Sequence, residues 1–453
     1  MTEVGLAQRW RTRWFFAKYT VAKPQARSAF QEAVRNQRRS RDELEALSWA
    51  RTRDLLQYAY GHVPYYREKW QGIGLHPDDI AKPEHFAQVP VLTRQDIQTN
   101  ADRMMSDEAK QGNVRVSTTG GSTGEPLRVY HEKKVVRSAQ LWRVLDWWGL
   151  PPDVDMASIY RNLNPGWKKR LAYKAFWWPT QHILLDACAM DEQSIRRFIA
   201  QIVRLQPPLI HAYVGALDHV ASYILDHGIA VPAPKAIWST CAPLTTVQER
   251  RIEKAFGAPV FDHYGCCEVY WIAAECQEKR GLHRFSDVVT VEFLDDDHHP
   301  VPVGEYGRIA ITDLKNRLFP LIRYLNGDRG RELEATCPCG MSLPLMDKVQ
   351  GRTYEMLRTP DGTVAGGVTT LFDSNPDAVR RFQVIQREDY SIDILVVANP
   401  DFPDIDGILE GARNRLSAWL RHAVPVRVNI VPSLPSQDGK LRFVKSEIAP
   451  EKD

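Results

Sequence analysis

The sequence has no long hydrophobic run and no large excess of charge of either sign. Nowhere do about 18 apolar residues follow one another, so the chain is not expected to span a membrane. Lysine plus arginine (59) nearly balance aspartate plus glutamate (56), which leaves no global positive field of the kind that nucleic-acid-binding proteins use. We therefore predict neither a membrane span nor a nucleic acid partner, and any anion site must be local.

Cysteine is scarce, and the N-terminus lacks the uninterrupted apolar core of a signal peptide. The seven cysteines are an odd number, which argues against a complete disulfide framework and for a reducing compartment. We therefore expect the protein in the cytoplasm. The N-terminal segment mixes arginines with aromatics, which suits a basic helix on a membrane surface but more often one that packs on its own domain. None of these features predicts the oligomeric state.

The length and the pattern of the 453 residues favour two or three domains of a globular protein. Between residues 194 and 257, helical stretches alternate with short apolar runs, which predicts a mainly parallel sheet flanked by helices. A strand-rich stretch follows, and after Arg352 the chain restarts with short strands and a helix. We predict an α/β fold with a large N-terminal domain, residues 1–352, and a small α+β C-terminal domain, residues 353–453.

A loop rich in glycine and hydroxyl residues interrupts the stretch VRVSTTGGSTGEPLRVY. Glycines let backbone N–H groups approach phosphate oxygens, and hydroxyl side chains add donors with little bulk. Glu125 stands where a Walker A loop would have its lysine, and an ordinary flexible turn is the alternative interpretation. The residues that we expect to bind the phosphates are Ser117, Thr118, Thr119, Gly120, Gly121, Ser122, Thr123 and Gly124.

Five further motifs follow this loop in a fixed order. They are STCAPL at Ser239, HYGCCE at His263, RYLNGD ending at Asp328, GRTYEM at Gly351 and DGKLRFV, which contains Lys440. Each motif is weak by itself. Together with the loop, and in this order, they resemble the phenylacetate-CoA ligase and CapK-like branch of the adenylate-forming (acyl-CoA synthetase) superfamily, from about residue 50 to the end of the chain.

The resemblance implies a fold and a role for each motif. It implies a large N-terminal adenylation domain, with parallel-rich sheets, helices and a β subdomain, joined by a hinge to a small mobile lid. ATP, Mg²⁺ and CoA are the implied cofactors. The implied roles are adenine contacts for Ala242, Pro243 and Tyr264, Mg²⁺ binding for Glu268, ribose binding for Asp328, a nucleotide contact at the hinge for Arg352 and catalysis for Lys440 and Glu268.

The implied reaction activates a carboxylic acid with ATP as an acyl-adenylate and then transfers the acyl group to CoA. Transfer to an amine or a hydroxyl in natural-product or surface-polysaccharide assembly is the alternative. The sequence departs from the family at Tyr354 and Glu355 in the hinge and at Glu125 in the loop. A binding protein that keeps the fold and its zinc but has lost turnover is therefore a further alternative.

A second pattern predicts a structural zinc site. Cys276 and His283 form EC-x6-H, and TCPCG supplies Cys337 and Cys339. Three thiolates and one imidazole are a closed tetrahedral ligand set, which leaves no open position for catalysis. Unrelated buried cysteines are the alternative, and the CapK-like branch, in which a similar pattern occurs, favours zinc.

Two aromatic features admit more than one interpretation. His263 either orients the substrate carboxylate or is a packing histidine. The tryptophan-rich stretches LWRVLDWWGL and KAFWWP either line an acyl pocket or belong to the core, and the core is the favoured interpretation.

Overall fold

A computed structural model places the chain in two compact units. It describes residues 3–119, 127–160, 167–187, 189–350, 357–361, 364–365, 368, 371–372, 374–434 and 444–448. Unit 1 is formed by Met1–Asp153 and His263–Val349, and unit 2 by Val154–Asp262 and Gln350–Asp453. The division into domains 1–352 and 353–453 stays a prediction. No helix among the described residues combines the length and the hydropathy that crossing a bilayer requires.

Unit 2 contains the predicted parallel sheet. Its strands lie in the order β4, β3, β5, β6, β7, and apolar strand residues pack against the flanking helices in one core. Helix α10 begins with a capping box of Thr245 and Gln248 and ends at Gly257, whose φ of 64° is left-handed. The elements are β3 (Met156–Tyr160), α7 (Trp167–Trp177), β4 (His182–Asp186), α8 (Glu192–Leu205), β5 (Leu209–Tyr213), α9 (Val214–Asp226), β6 (Ala236–Thr240), α10 (Thr246–Phe256) and β7 (Val260–Tyr264), whose last two residues belong to unit 1.

The C-terminal part of unit 2 has the predicted α+β pattern. A four-stranded mixed sheet has the order β19, β18, β17, β20, and it shares a core with one helix and with Val247 of α10. The buried carboxylate of Asp218 in α9 accepts a hydrogen bond from Arg251 at 2.6 Å and lies 3.6 Å from Arg381 in β17. The elements are β15 (Leu357–Arg358), β16 (Val364–Ala365), β17 (Val379–Gln386), β18 (Ile392–Ala398), α11 (Ile405–Trp419), β19 (Val426–Ile430) and β20 (Val444–Ser446).

Unit 1 joins a helical N-terminal part to antiparallel strands. Helix α3 begins with a capping box of Ser40 and Glu43, and two short 3₁₀ helices, Pro77–Asp79 and Pro83–Gln88, precede α5. The helices are α1 (Glu3–Ala22), α2 (Ala26–Asn36), α3 (Arg41–His62), α4 (Pro64–Gln71), α5 (Arg94–Asn100) and α6 (Ser138–Trp147).

The strands of unit 1 form three antiparallel groups. The strand-rich sequence after residue 286 predicts antiparallel strands there, but it does not predict the earlier hairpin of β1 and β2. A hairpin pairs β1 with β2, a three-stranded sheet has the order β10, β11, β12, and short strands pair in the order β13, β14, β9, β8 and the end of β7. Their bounds are β1 (Val114–Thr119), β2 (Leu127–Glu132), β8 (Ala273–Glu275), β9 (Leu282–Arg284), β10 (Val289–Leu294), β11 (Gly307–Asp313), β12 (Tyr324–Gly330), β13 (Glu332–Leu333) and β14 (Leu345–Met346).

Candidate active site and metal centre

The β1–β2 hairpin fixes both ends of the predicted phosphate loop. Thr119 faces Leu127 across the two strands, so the seven residues between them connect two paired strand ends. Ser117 lies in β1, and its hydroxyl oxygen is 3.0 Å from the hydroxyl oxygen of Tyr270. Thr118 and Thr119 also lie in β1. Gly120, Gly121, Ser122, Thr123 and Gly124 lie outside the described residues, as do Arg352 and Lys440.

A tight turn follows β7 and carries two predicted site residues. Tyr264 ends the strand, and the backbone N–H of Tyr270 donates to the carbonyl of Cys266 at 2.6 Å. Gly265 lies so close to this turn that a Cβ atom there would be 1.9 Å from the carbonyl oxygen of Tyr270. Only glycine fits at this position. Glu268 lies in this turn, and its side chain is buried.

Replacing Gly265 with alanine should disrupt this turn. Because the added methyl group would meet backbone rather than a mobile side chain, the turn itself would have to shift. We expect the free energy of unfolding to fall by about 1–3 kcal/mol, as for other overpacked sites. Urea denaturation measures this change. The matched substitution Gly112→Ala, at a position with open space around it, should leave stability nearly unchanged, and an equal loss in both variants would contradict the packing argument.

Tyr264, Asn326 and Asp328 form one hydrogen-bonded cluster. The Tyr264 hydroxyl donates to Oδ2 of Asp328 at 2.8 Å. The amide of Asn326 donates to the Tyr264 hydroxyl at 2.6 Å and to the same carboxylate oxygen at 2.8 Å. Burial, together with the nearby Asp328 carboxylate, raises the pKa of Tyr264, so its hydroxyl keeps its proton and remains a donor. The cluster therefore fixes the direction of the Asp328 carboxylate.

Glu268 is oriented by a tyrosine of strand β12, which belongs to a different sheet from β7. The hydroxyl of Tyr324 donates to Oε1 of Glu268 at 3.2 Å. Burial and the charge of Glu268 raise the pKa of Tyr324, which keeps this donor protonated as well. Burial and the same carboxylate raise the pKa of the Cys266 thiol, so Cys266 is a neutral thiol rather than a nucleophile. A buried carboxylate with a fixed donor is a suitable ligand for a hard cation such as Mg²⁺.

Arg137 holds the other side of the turn. Its guanidinium donates to the carbonyl of Val269 at 2.6 Å and to Asp313 at 3.0 Å, and it lies 4.9 Å from the ring centre of Tyr270. Arg137, Val269 and Trp271 also line a cavity of about 250 Å³. No motif in the sequence singles out Arg137. Its role follows from tertiary contacts, as do those of Tyr324 and Asn326.

Ala242 and Pro243 lie in unit 2, in the turn between β6 and α10. Both are half-buried, and the neighbouring Leu244 is buried in the core of the parallel sheet. This turn follows the carboxyl end of a parallel strand, where α/β proteins commonly bind ligands.

The structure brings the four predicted zinc ligands together. Their ligand atoms all lie within 4.8 Å of one another. Sγ of Cys276 is 3.5 Å from Sγ of Cys337, and Sγ of Cys339 is 3.4 Å from Nε2 of His283. A disulfide would require about 2.05 Å between sulfur atoms. Ligands at zinc-bond lengths of about 2.0–2.3 Å from one tetrahedral ion are separated by distances close to those observed.

Strand pairing and the chemistry of the cluster both fit a bound cation. Strand β9, which carries His283, pairs with β8, which ends just before Cys276, and with β14, which follows the loop of the other two cysteines. Nδ1 of His283 lies 3.1 Å from the carbonyl of Leu343, a donor contact that would leave Nε2 to face the sulfurs. Burial raises the pKa of the Cys276 and Cys339 thiols, so thiolates at this position require a positive charge.

The two aromatic features have different outcomes. His263 is buried, burial lowers its pKa to about 3, and its ring lies 4.3 Å from that of Trp271. A neutral ring of this kind cannot form an ion pair with a carboxylate at neutral pH. The expectation that KAFWWP belongs to the core is wrong for Phe176 and Trp178, which are exposed. Trp142 and Trp148 of the other stretch are buried, as expected.

Comparison with known proteins agrees with the motifs. Phenylacetate-coenzyme A ligase of Thermus thermophilus is 22% identical over 434 residues, which cover 89% of this chain and 96% of that protein. Protein CapK of Staphylococcus aureus is 25% identical over 383 residues, 80% of each chain. The predicted resemblance is confirmed. No family model matches the sequence.

The fold of the adenylate-forming ligases is also confirmed. The crystal structure of 2-hydroxyisobutyryl-CoA ligase, in the postadenylation state with an acyl-AMP bound, superposes with a TM-score of 0.74 at 19% identity, over 91% of each chain. At this identity the likeness establishes the α/β fold. The predicted site residues of unit 1 lie on β1, at the end of β7, in the turn that follows it and on β12 of that fold.

Proposed function

We propose that the protein is an ATP-dependent, AMP-producing ligase that activates a carboxylic acid as an acyl-adenylate and transfers the acyl group to CoA. The observation that carries this proposal is the convergence of Tyr264, Asp328 and Glu268 within unit 1. These are residues to which the resemblance assigns adenine, ribose and Mg²⁺. Similarity to phenylacetate-coenzyme A ligases over most of the chain supports the same reaction.

The first half-reaction would form an O–P bond between the acid and ATP. A carboxylate oxygen attacks the α-phosphorus, and the bond to pyrophosphate breaks, so that acyl-AMP and pyrophosphate result. Glu268 would hold Mg²⁺, which supplies positive charge beside the phosphate oxygens. The carboxylate of Asp328, fixed by Tyr264 and Asn326, would accept hydrogen bonds from the ribose hydroxyls. Ser117 and the following loop would donate to the phosphates, and the resemblance assigns a neutralising ammonium to Lys440.

In the second half-reaction we propose that the CoA thiol attacks the acyl carbon and releases AMP. Residues 353–453 would act as a mobile lid that turns about a hinge near Arg352 between the two half-reactions. Strands β17 and β18 and helix α11 share one apolar core that also includes Val247 of α10, so a turning lid would have to release this contact. We also propose the cytoplasm as the compartment in which ATP and CoA are supplied.

Pyrophosphate release from purified protein, measured with a panel of carboxylic acids, tests the proposal. Acid-dependent release with a thioester formed when CoA is present is the expected result. Acid-dependent release with no thioester would contradict transfer to CoA and favour an amine or hydroxyl acceptor. No release with any acid, from protein that binds ATP, would favour a binding protein that has lost turnover.

We further propose a structural zinc ion held by Cys276, His283, Cys337 and Cys339. The geometry of the cluster and the need for a positive charge beside buried thiols support this assignment. The ion would link the loop between β13 and β14, which carries Cys337 and Cys339, to the region of strands β8 and β9, which carries Cys276 and His283. With four protein ligands it would leave no position for a reacting water.

Metal analysis of protein purified without chelator should give about one zinc per chain. Replacing Cys337 with serine removes one of the four ligands, and we expect less than about half an equivalent of zinc. Cys241→Ser, which changes an exposed cysteine in unit 2, is the matched control and should retain the metal. Wild-type protein with less than half an equivalent, or equal zinc in both variants, would favour unrelated buried cysteines.

A further inference from the structure

The loop that we expect to bind the phosphates carries no positive charge of its own. From Val116 to Leu127 the sequence has no lysine or arginine, and Glu125 adds a negative charge. Backbone N–H groups supply only partial charges, whereas the terminal phosphates of ATP carry several full ones. If the loop binds ATP, the full positive charges that balance these phosphates must come from residues outside it. The two basic residues that flank the loop in sequence are Arg115 and Arg128.

The register of the β1–β2 hairpin places these two arginines on opposite faces. Arg115 and Ser117 are two residues apart in β1, so their side chains share one face of the hairpin. Arg128 of β2 lies opposite Thr118, the residue after Ser117, and therefore belongs to the other face. Only Arg115 shares a face with the first of the residues that we expect to bind phosphate.

Tyr270 joins the Arg115 side chain to Ser117. The guanidinium of Arg115 donates a hydrogen bond to the Tyr270 hydroxyl and lies 5.6 Å from the centre of the ring. The same hydroxyl oxygen is 3.0 Å from that of Ser117. Tyr270 is also the second residue after Glu268, the proposed ligand of Mg²⁺. One turn of unit 1 therefore carries both the proposed metal ligand and the residue that holds Arg115 beside the loop.

The backbone of Tyr270 is strained. Its φ of 74° lies in the left-handed region, which an aromatic residue rarely adopts. The ring is nevertheless held firmly, because the Arg137 guanidinium lies 4.9 Å and the His131 ring 4.7 Å from its centre. Strain of this kind persists where the surrounding structure enforces it, and it is concentrated at functional sites. The conformation of Tyr270 therefore points to a function for the contacts that its side chain makes.

The charge of Arg115 is not neutralised as that of Arg137 is. Arg137 forms an ion pair with the buried Asp313 at 3.0 Å. Arg115, Lys23 and Lys133 form no ion pair with any acidic residue that the structure describes. Lys23 donates to the backbone carbonyl of Lys133, and burial, followed by the charges of Arg115 and Lys133, lowers the pKa of Lys23. Three cations without a counter-charge are suited to binding an anion.

We propose that Arg115 binds the β- and γ-phosphates of ATP and the pyrophosphate that leaves, with Lys23 adding positive charge beside it. This inference rests on the proposed function. When the bond between the α-phosphorus and the bridging oxygen breaks, its electron pair stays on pyrophosphate, so negative charge grows there. A guanidinium can donate two parallel hydrogen bonds to phosphate oxygens. Arg115 would thus supply the charge that the loop lacks, and Tyr270 would be a positioning residue for it.

The phosphates of CoA offer the same chemistry, but the position of Arg115 favours ATP. Its guanidinium contacts the tyrosine that touches Ser117, and that tyrosine follows the proposed Mg²⁺ ligand in the same turn. A cation at this position would lie next to the phosphates that the loop and the metal ion hold. Separate titrations with the two nucleotides distinguish these sources.

Isothermal titration calorimetry of the full chain with ATP, pyrophosphate and AMP, each with Mg²⁺, tests the proposal. Arg115→Gln should weaken the binding of ATP and pyrophosphate by about tenfold or more, the usual cost of lost hydrogen bonds to a charged group. Binding of AMP should be unchanged, because AMP lacks these phosphates. Arg115→Lys should retain part of the affinity, and Tyr270→Phe should show a smaller loss for the same two ligands.

Arg128→Gln is the matched control, because it removes the same charge from the other face of the same hairpin. It should bind all three ligands as the wild type does, and thermal unfolding confirms that each variant is folded. Equal losses in Arg115→Gln and Arg128→Gln, or a loss for CoA with none for ATP and pyrophosphate, would overturn the proposal.

The same variants separate this inference from the proposed function. Acid-dependent pyrophosphate release, together with unchanged binding of ATP and pyrophosphate in Arg115→Gln, would overturn the role of Arg115 and leave the proposed function in place. Binding of pyrophosphate that depends on Arg115, in a protein that releases none with any acid, would support the site and contradict the proposed function.

Discussion

Glu268→Gln is expected to lower the rate of acid-dependent pyrophosphate release by about 100–1,000-fold, the usual cost of removing one group that stabilises transition-state charge. The amide oxygen of glutamine can still accept the hydrogen bond from Tyr324, so the side chain should keep its place in the turn. The charge that would hold Mg²⁺ is lost. The measurement is the initial rate of release at saturating ATP and acid, over a range of Mg²⁺ concentrations.

Glu305→Gln provides the matched control, because Glu305 is an exposed glutamate of unit 1 far from the turn in sequence. It should retain the wild-type rate. Both variants should unfold at the wild-type temperature, which separates a catalytic effect from a structural one. A Glu268→Gln protein that is folded and as active as wild type would remove this residue from the mechanism.

The largest effect on stability is expected for Asp287→Ala in unit 1. Asp287 and Arg143 are both buried and form an ion pair at 2.9 Å, and Asn36 donates to the second carboxylate oxygen at 3.0 Å. Removing the carboxylate leaves the guanidinium buried without its counter-charge. We expect the free energy of unfolding to fall by about 3–5 kcal/mol, measured by urea denaturation.

The double variant Arg143→Met with Asp287→Leu tests the reason for this loss. If the cost comes from an uncompensated charge, removing both charges should recover most of the stability. A double variant as unstable as Asp287→Ala would contradict that explanation and indicate a packing defect instead.

The pH dependence of stability follows from the same pair. Burial by itself would raise the pKa of Asp287, but the Arg143 and Asn36 contacts outweigh it and hold the pKa below its usual value. The contribution of this carboxylate to stability is therefore present above its unfolded pKa of about 3.9 and is lost as pH falls through the lower folded value. Asp287→Ala should lack this part of the acid dependence.

The sequence predicts those parts of the fold that depend on local periodicity. Helices α8, α9 and α10 and strands β5, β6 and β7 lie where helical and apolar stretches alternate, because each helix is followed along the chain by a strand of the sheet. The cluster of Cys276, His283, Cys337 and Cys339 was predictable from residue type and spacing, although its halves are about 60 residues apart in sequence. The two halves come together because β9 pairs with both β8 and β14, and spacing in the sequence does not predict this pairing.

The residues that orient the site were not predictable in the same way. Arg137 lies in no motif, and although Tyr324 and Asn326 lie in RYLNGD, the resemblance gives a role there only to Asp328; each of the three acquires its contact through a strand or turn distant in sequence. The composition of KAFWWP led to a wrong prediction of burial, because hydrophobic residue types are buried only on average. Phe176 and Trp178 are exposed although they are among the most hydrophobic residue types.

Exchange of labelled pyrophosphate into ATP, in the absence of CoA and any other acceptor, tests formation of the acyl-adenylate most directly. We expect exchange that depends on both Mg²⁺ and a carboxylic acid and that is lost in Glu268→Gln. AMP should be the nucleotide product once an acceptor is added. Acid-dependent formation of ADP and phosphate, with no exchange of pyrophosphate, would contradict formation of the acyl-adenylate.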